Sequence, residues 1–204
     1  MIGIMGEADF GDWKPLSLDS VAELFKSVDI PWWIAGGWAI DLFLGRQTRE
    51  HADIDVLVLR EDYAELRRHL GDWDVHAADP PGSLRPWPLG ETLDAAVHDI
   101  WCRLIPTSPW SLQVMLNDAV DGEWVYRRDP RVRRALGELS GPASTSTHPV
   151  LAPEVQLLYK SKNPRSKDVE DFHLARVLMA ETQLQWLDDA LAITAPEHPW
   201  RAWL

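Results

Sequence analysis

Two glycines and two aspartates, close together in the first third of the chain, constrain the fold most strongly. Gly36-Gly37 follows the apolar run 32–35 and precedes the segment 38–44, which has helical periodicity. This order predicts a strand-to-helix turn at the glycines. Glycines at such a turn let the backbone approach a ligand closely, and the free N–H groups at a helix start favour phosphate. Taken alone, a glycine pair is more often a simple tight turn.

Asp53 and Asp55 form the second half of the pattern. They open an apolar run rich in β-branched residues that ends at Leu59, which predicts a central strand. Because side chains alternate along a strand, both carboxylates project from one face. They repel each other unless a cation lies between them, and Mg²⁺ bound together with substrate phosphates suits such ligands. The pattern predicts metal-dependent nucleotidyl transfer, with Asp53 and Asp55 as catalytic residues and as ligands of a two-ion site.

These motifs resemble those of the nucleotidyltransferase superfamily, which has the DNA polymerase β-like fold. The resemblance is strongest to the group of aminoglycoside 2''-adenylyltransferases and lincosamide nucleotidyltransferases. The matching positions are 36–41, 45–46, 48–49, 51 and 53–55, followed near the C-terminus by 152–160, 165–168 and 171. The resemblance implies that Gly36, Gly37, Trp38, Arg49 and Lys160 bind a nucleoside triphosphate, with ATP as the default donor. It also implies transfer to a small-molecule acceptor without identifying that acceptor.

One part of the family pattern is missing from the chain. Such enzymes usually carry a third acidic residue on a neighbouring strand, where it binds metal or accepts the proton of the attacking hydroxyl. The corresponding strand is predicted at 111–116, and the expected position is Gln113, which cannot accept a proton at neutral pH. Either Asp118 at the strand end or Asp99 on the preceding strand supplies the acid, or catalysis has been lost. We take Asp118 as the third catalytic residue; the last alternative would leave a nucleotide-binding or protein-interaction module.

The charge of the chain bears on its partners. A net charge of −12 and a pI near 4.9 argue against binding of duplex nucleic acid, which requires a basic face. They favour a cationic acceptor such as an aminoglycoside-like antibiotic, because an acidic cleft would concentrate it. A toxin-like transferase acting on RNA or protein is a further alternative. Arginines cluster between 127 and 134; they form surface ion pairs, or Arg127 or Arg128 faces the triphosphate.

Nothing in the sequence indicates a membrane or an export signal. Residues 1–9 lack a basic segment followed by a long apolar core, and no stretch approaches the roughly 20 apolar residues that span a bilayer. The single cysteine, Cys102, cannot form an internal disulfide and is expected to be a buried, inert thiol. We therefore expect a cytoplasmic protein.

The predicted fold class is α/β (α+β), with a mixed sheet flanked by helices and followed by a C-terminal helical bundle. The Gly/Pro/Ser/Thr-rich stretch 140–149 predicts a linker, so we expect a nucleotidyltransferase core domain at 1–145 and a helical domain at 146–204. Helices are predicted at 17–29, 37–44, 61–70, 153–162, 166–180 and 182–193. Strands are predicted at 32–35, 53–59, 73–77, 97–105, 111–116 and 123–127, the last three as antiparallel hairpins, and a loop is predicted at 79–92.

Overall fold

The structure is a computed structural model that describes residues 11–204. The expectation for residues 1–9 therefore lies outside the described residues. The predicted class is confirmed, since a mixed sheet is flanked by helices and followed by three helices at the C-terminus. The helices are α1 (Leu18–Phe25), α2 (Gly36–Leu44), α3 (Tyr63–Leu70), α4 (Pro153–Lys160), α5 (Ser166–Ala175) and α6 (Glu181–Thr194). The strands are β1 (Trp32–Ile34), β2 (Asp55–Leu59), β3 (Asp74–Ala78), β4 (Leu84–Pro86), β5 (Asp99–Arg103), β6 (Leu112–Val120), β7 (Glu123–Val125) and β8 (Arg133–Ala135).

The helix boundaries follow local capping. The Ser17 hydroxyl caps α1 by accepting a hydrogen bond from the Ser20 N–H at 3.1 Å, as predicted. Helix α2 ends at Gly45, which adopts the left-handed conformation with φ of 69°. The predicted helix 166–180 is too long, because α5 ends at Ala175 and Ala180 is extended. There the N–H of Ala180 donates to Oε1 of Gln183 at 3.0 Å, which starts α6 instead.

The sheet places the central strands side by side. Its main path runs β1-β2-β6-β5-β3-β4, and β7 pairs with both β6 and β8. Strands β2 and β6 are parallel, whereas the other pairs are antiparallel. The predicted hairpins of β5 with β6 and of β6 with β7 are therefore confirmed. In this register Asp55 lies opposite Gln113, and Asp99 lies opposite Met115 on the next strand.

Two short strands were not predicted. Strand β4 lies inside the predicted loop 79–92 and pairs with β3, and β8 pairs with β7. Both are only three residues long and contain arginine or proline, so they carry too little alternation to be recognised. Strand β6 is also longer than predicted, because Asp121 and Gly122 both adopt positive φ and form a tight two-residue hairpin turn.

Two hydrophobic cores pack on the sheet. One joins α1 and α3 to the inner residues of β3, β5 and β6 and includes the buried Cys102, whose pKa burial raises to about 12. The other joins β1 and α2 to the three C-terminal helices, with Trp33, Ile34, Leu158, Phe172 and Leu191 as members. The C-terminal helices are thus held against the sheet by a shared core. None of the helices in residues 11–204 is long and apolar enough to cross a membrane.

Candidate active site

A cleft of about 410 Å³ lies between the sheet and the C-terminal helices. One wall is formed by the α2 start, the residues before β2, and the exposed faces of β5 and β6. The opposite wall is formed by α4, the loop that follows it and the start of α5. Six of the sequence-predicted site residues line this cleft: Gly36, Gly37, Arg49, Asp53, Asp55 and Lys160.

The glycine turn lies directly against the second carboxylate of the motif. Gly36 has a φ of 65°, and a Cβ there would overlap Oδ2 of Asp55. A Cβ on Gly37 would overlap the His51 ring and the Arg49 guanidinium. Both positions therefore require glycine, and at Gly36 the absence of a side chain is what allows the backbone to approach the carboxylate. The N–H of Gly36 donates to Oε1 of Gln156 on α4 at 2.8 Å.

Asp55 is in an unfavourable environment for a charged carboxylate. Burial raises its pKa to about 7, and the negative charges of Asp53 and Asp99 act in the same direction. Lys160 and Lys167 act in the opposite direction but do not compensate. A cation between the two aspartates would restore the charged form.

Lys160 lies deep in the opposite wall and is already paired. Its ammonium is 3.0 Å from Oδ1 of Asp168 and 2.9 Å from Oδ2 of Asp171, and its side chain is 8% exposed. Arg49 contacts the same Asp171 carboxylate at 3.3 Å. Burial alone would raise the pKa of Asp168, but hydrogen bonds from Arg165 and Lys160 hold it well below its usual range. Lys160 therefore reaches the cleft as part of a buried ionic cluster.

The acidic side chain on the neighbouring strands that reaches the cleft is Asp99. Its Oδ1 accepts a hydrogen bond from Nε2 of Gln113 at 3.2 Å, and its Oδ2 lies 3.7 Å from Nη1 of Arg127. Asp118 does not line the cleft. It follows Gln113 by five positions and so projects to the opposite face, where Arg60 Nε donates to it at 2.6 Å. Of the two acids expected to replace a carboxylate at Gln113, Asp99 therefore lines the cleft and Asp118 does not.

A buried hydrogen-bond chain that sequence reasoning missed supports Arg49. Asp41, buried on α2, accepts from Thr48 Oγ1 at 2.5 Å and contacts Nε2 of His51 at 2.6 Å. Nδ1 of His51 then lies 2.9 Å from Nη1 of Arg49. Trp38 does not line the cleft; its ring packs on His51 with centroids 4.6 Å apart. These residues belong to the motif 36–55, but their spacing alone does not show that their side chains meet.

The cleft has the opposite charge to the chain as a whole. Its basic lining residues are Arg49, Arg127, Arg128, Lys160, Lys162, Arg165 and Lys167. Its acidic lining residues are Asp53, Asp55, Asp99 and Asp168. The expectation of an acidic cleft is therefore wrong, because the negative charges of the chain lie mainly elsewhere on its surface. Such a lining attracts a polyanion such as a triphosphate.

The donor set fits Mg²⁺ that is bound jointly with phosphates. Within residues 11–204, no group of three or more His, Cys, Asp or Glu side chains is close enough to hold a metal by itself. Mg²⁺ is commonly held by one or two carboxylates together with substrate phosphates and waters. Burial and the neighbouring Asp53 carboxylate raise the pKa of Asp55, and a cation bound by the two aspartates would favour its charged form.

A mixed sheet that carries paired aspartates beside a glycine turn defines the class as a nucleotidyltransferase fold. The structure agrees with two solved members of that fold. The superposition on the lincomycin-bound lincosamide antibiotic adenylyltransferase LnuA covers 83% of this chain and all of LnuA, with a TM-score of 0.55 and 18% identity. The superposition on ANT(2'')-Ia in complex with adenylyl-2''-tobramycin covers 86% of this chain and 95% of that protein, with a TM-score of 0.51 and 22% identity.

The family model described as aminoglycoside-2''-adenylyltransferase matches residues 17–174, so the chain belongs to that family. This confirms the resemblance read from the motifs. A 2''-aminoglycoside nucleotidyltransferase of Escherichia coli is 55% identical over 38 residues, which are 19% of this chain. A lincosamide resistance protein of Staphylococcus haemolyticus is 42% identical over 36 residues, which are 18% of this chain. Each of these matches spans 22% of the length of the curated relative.

Proposed function

We propose that the protein transfers a nucleoside monophosphate from a Mg²⁺-bound nucleoside triphosphate, by default ATP, to a hydroxyl of a small-molecule antibiotic. The observation that carries the proposal is the close approach of the Gly36 backbone to Asp55 at the base of a basic cleft. This geometry brings a phosphate-binding turn and a metal-binding carboxylate within reach of the same ligand. Two of the family's structural relatives are solved with lincomycin and with an adenylylated tobramycin, which supports an antibiotic acceptor.

On the donor side, the residues divide into metal ligands and phosphate ligands. Asp53 and Asp55 would hold Mg²⁺, which when bound neutralises charge that develops on the phosphates. The backbone at Gly36 and Gly37 would receive phosphate oxygens at the start of α2. Lys162 and Lys167, which line the cleft and form no ion pair within residues 11–204, are free to attract the triphosphate. Arg49 and Lys160 add positive charge from fixed, ion-paired positions.

On the acceptor side, Asp99 is the general base in the proposed reaction. The acceptor oxygen forms a bond to the α-phosphorus while the bond to the bridging oxygen breaks, and pyrophosphate leaves with that electron pair. The hydroxyl proton passes to the Asp99 carboxylate. Gln113 cannot take this proton, but its donated hydrogen bond orients the carboxylate. An acid in the cleft disfavours the alternative in which the chain only binds nucleotide.

The wider assignments follow from this reaction. In the proposal, residues 1–145 supply the turn, the metal ligands and the base, and residues 146–204 supply Lys160 and the basic wall. The substrate is a soluble triphosphate of the cell interior, so the proposed location is the cytoplasm. The exclusion of duplex nucleic acid as an acceptor stays a prediction from the net charge of the chain.

The test is a transfer assay. The protein is incubated with each nucleoside triphosphate labelled at the α-phosphate, with Mg²⁺, and with lincomycin, tobramycin or tRNA in separate reactions. We expect label on an antibiotic, stoichiometric pyrophosphate release, and no reaction with the Asp55→Asn variant or in EDTA. Label on tRNA alone would favour the toxin-like alternative. Equally tight binding of ATP and Mg²⁺ by the wild type and by the Asp53→Asn, Asp55→Asn double variant would refute the site.

A further inference from the structure

We infer that the acceptor carries no cluster of ammonium groups, and that Arg127 is the residue that excludes such compounds. The inference rests on the proposed function and adds the charge of the acceptor to it. It concerns the part of the cleft around Asp99, where the reacting hydroxyl must approach.

Among residues 11–204, each carboxylate that lines the cleft already has a partner or a role in the proposed reaction. Asp53 and Asp55 face the metal position, and Asp168 is held by Lys160 at 3.0 Å and by Arg165 at 2.8 Å. Asp99 is the base, and it already has Arg127 beside it. A polycation seated here would have to leave water without gaining a partner of opposite charge, which is unfavourable.

Two acidic side chains on neighbouring strands, outside the cleft, are also paired. Asp74 lies on the same side of the sheet as Asp99, but its carboxylate contacts Arg103 Nε at 2.6 Å. Asp118, on the opposite face of β6, is paired with Arg60 at the same distance. The surroundings of the base are therefore neutralised from within the chain, although the chain as a whole is acidic.

Arg127 places a permanent positive charge beside the base. Its guanidinium lies 3.7 Å from Asp99 and 5.9 Å from the centre of the Tyr159 ring, and its side chain is 22% exposed. The charge of Arg127 also acts on His98, which precedes Asp99 in the chain. Burial and the guanidinium groups of Arg127 and Arg60 lower the pKa of His98. A second positive charge brought to this place is repelled. An uncharged hydroxyl is not, and a guanidinium can donate a hydrogen bond to it.

The chemistry of the cleft therefore fits a polyhydroxyl compound that is uncharged or carries one positive charge away from the reacting hydroxyl. Met115 and Tyr159 supply the apolar surface of the same region, against which the carbon face of a sugar ring can pack. A compound of this class gains the polar contacts of the site without the repulsion that a polyamine meets.

The test compares tobramycin with its per-N-acetylated derivative, which keeps every hydroxyl but carries no ammonium group. At about 0.15 M ionic strength, we expect transfer to the acetylated compound to exceed transfer to tobramycin by at least about tenfold, equivalent to about 1.4 kcal/mol. If neither compound is labelled, binding of the two compounds is compared on protein loaded with Mg²⁺ and a non-hydrolysable ATP analogue, and we expect the acetylated compound to bind more tightly. Faster transfer to tobramycin, or tighter binding of it, would overturn the inference.

A pair of variants tests the role of Arg127. Arg127→Gln should remove most of the discrimination, whereas Arg133→Gln should keep it, because Arg133 pairs with Glu123 outside the cleft. Discrimination that survives in Arg127→Gln would show that another residue sets acceptor charge. A failure of the proposed function would be seen in a separate measurement, as an absence of Mg²⁺-dependent ATP binding. The comparisons of acceptors do not measure this binding.

Discussion

Nε2 of His51 lies 2.6 Å from Oδ2 of Asp41, and both side chains are only 2% exposed. Because Arg49 Nη1 can only donate, Nδ1 of His51 accepts from it and Nε2 carries the proton toward Asp41. The carboxylate thus fixes the imidazole, and the imidazole fixes the guanidinium that faces the cleft. His51 is a positioning residue in this arrangement, since it does not line the cleft itself.

We predict that His51→Ala weakens ATP binding through Arg49. The affinity should fall roughly ten- to a hundredfold, the size of one hydrogen bond to a charged group, with a smaller change in kcat. A double-mutant cycle measured by calorimetry separates the two residues. The loss caused by His51→Ala should disappear in an Arg49→Ala background. Equal losses in both backgrounds would mean that His51 acts on the fold and not on Arg49.

The second prediction separates the two acids that compete for the role of base. Asp99→Asn should lower kcat by roughly 10²–10⁴-fold, the usual contribution of a general base, while ATP binding stays unchanged. Asp118→Asn is the matched control, because it removes the same charge from an acid outside the cleft, and its rate should stay within about twofold of the wild type. The reverse order of effects, measured by pyrophosphate release, would return the base to Asp118.

The third prediction concerns pH and the stability of the metal-free protein. The pKa of Asp55 is raised in the folded state from 3.8 to about 7, so between these values the folded protein holds a proton that the unfolded chain has lost. The contribution of Asp55 to stability therefore falls as pH rises from about 4 to 7. In EDTA, Asp55→Asn should melt a few degrees above the wild type at pH 8, with the difference vanishing near pH 4. A difference independent of pH would contradict the raised pKa.

The fourth prediction distinguishes buried from free lysines. Lys160→Ala leaves the buried carboxylates of Asp168 and Asp171 without their shared partner, so it should lower the free energy of unfolding by about 3–5 kcal/mol. Lys167→Ala breaks no ion pair in the described part of the chain, so it should leave stability unchanged while weakening triphosphate binding more than nucleoside binding. Urea unfolding and calorimetry measure the two effects. A Lys160→Ala protein of full stability would show that the ionic cluster is not formed.

The sequence was sufficient where local patterns determine geometry. The resemblance to the nucleotidyltransferases put the Asp55 strand beside the strand of Gln113, and the register confirms this pairing. Alternation also places Asp118 on the opposite face of β6 from Gln113. Alternation does not predict which residue Asp118 contacts on that face, because its partner Arg60 lies 58 positions earlier in the chain.

The ionic contacts of the cleft could not be predicted for the same reason. Arg49 and Asp171 are 122 positions apart, and nothing in either segment shows that α5 packs beside α2. The total charge was misleading because it averages over the surface, whereas the cleft collects basic residues from several elements. Trp38 was expected to bind the nucleotide, but it does not line the cleft. A residue two positions after Gly36 on a helix points away from the turn, and the Trp38 ring packs on His51 instead.

The hydrogen bond from the Gly36 N–H to Oε1 of Gln156 ties the glycine turn to α4 at 2.8 Å. Gln156 is buried, and it lies on the helix that also carries Lys160. One helix therefore anchors the turn on one wall of the cleft and supplies a lysine to the other wall.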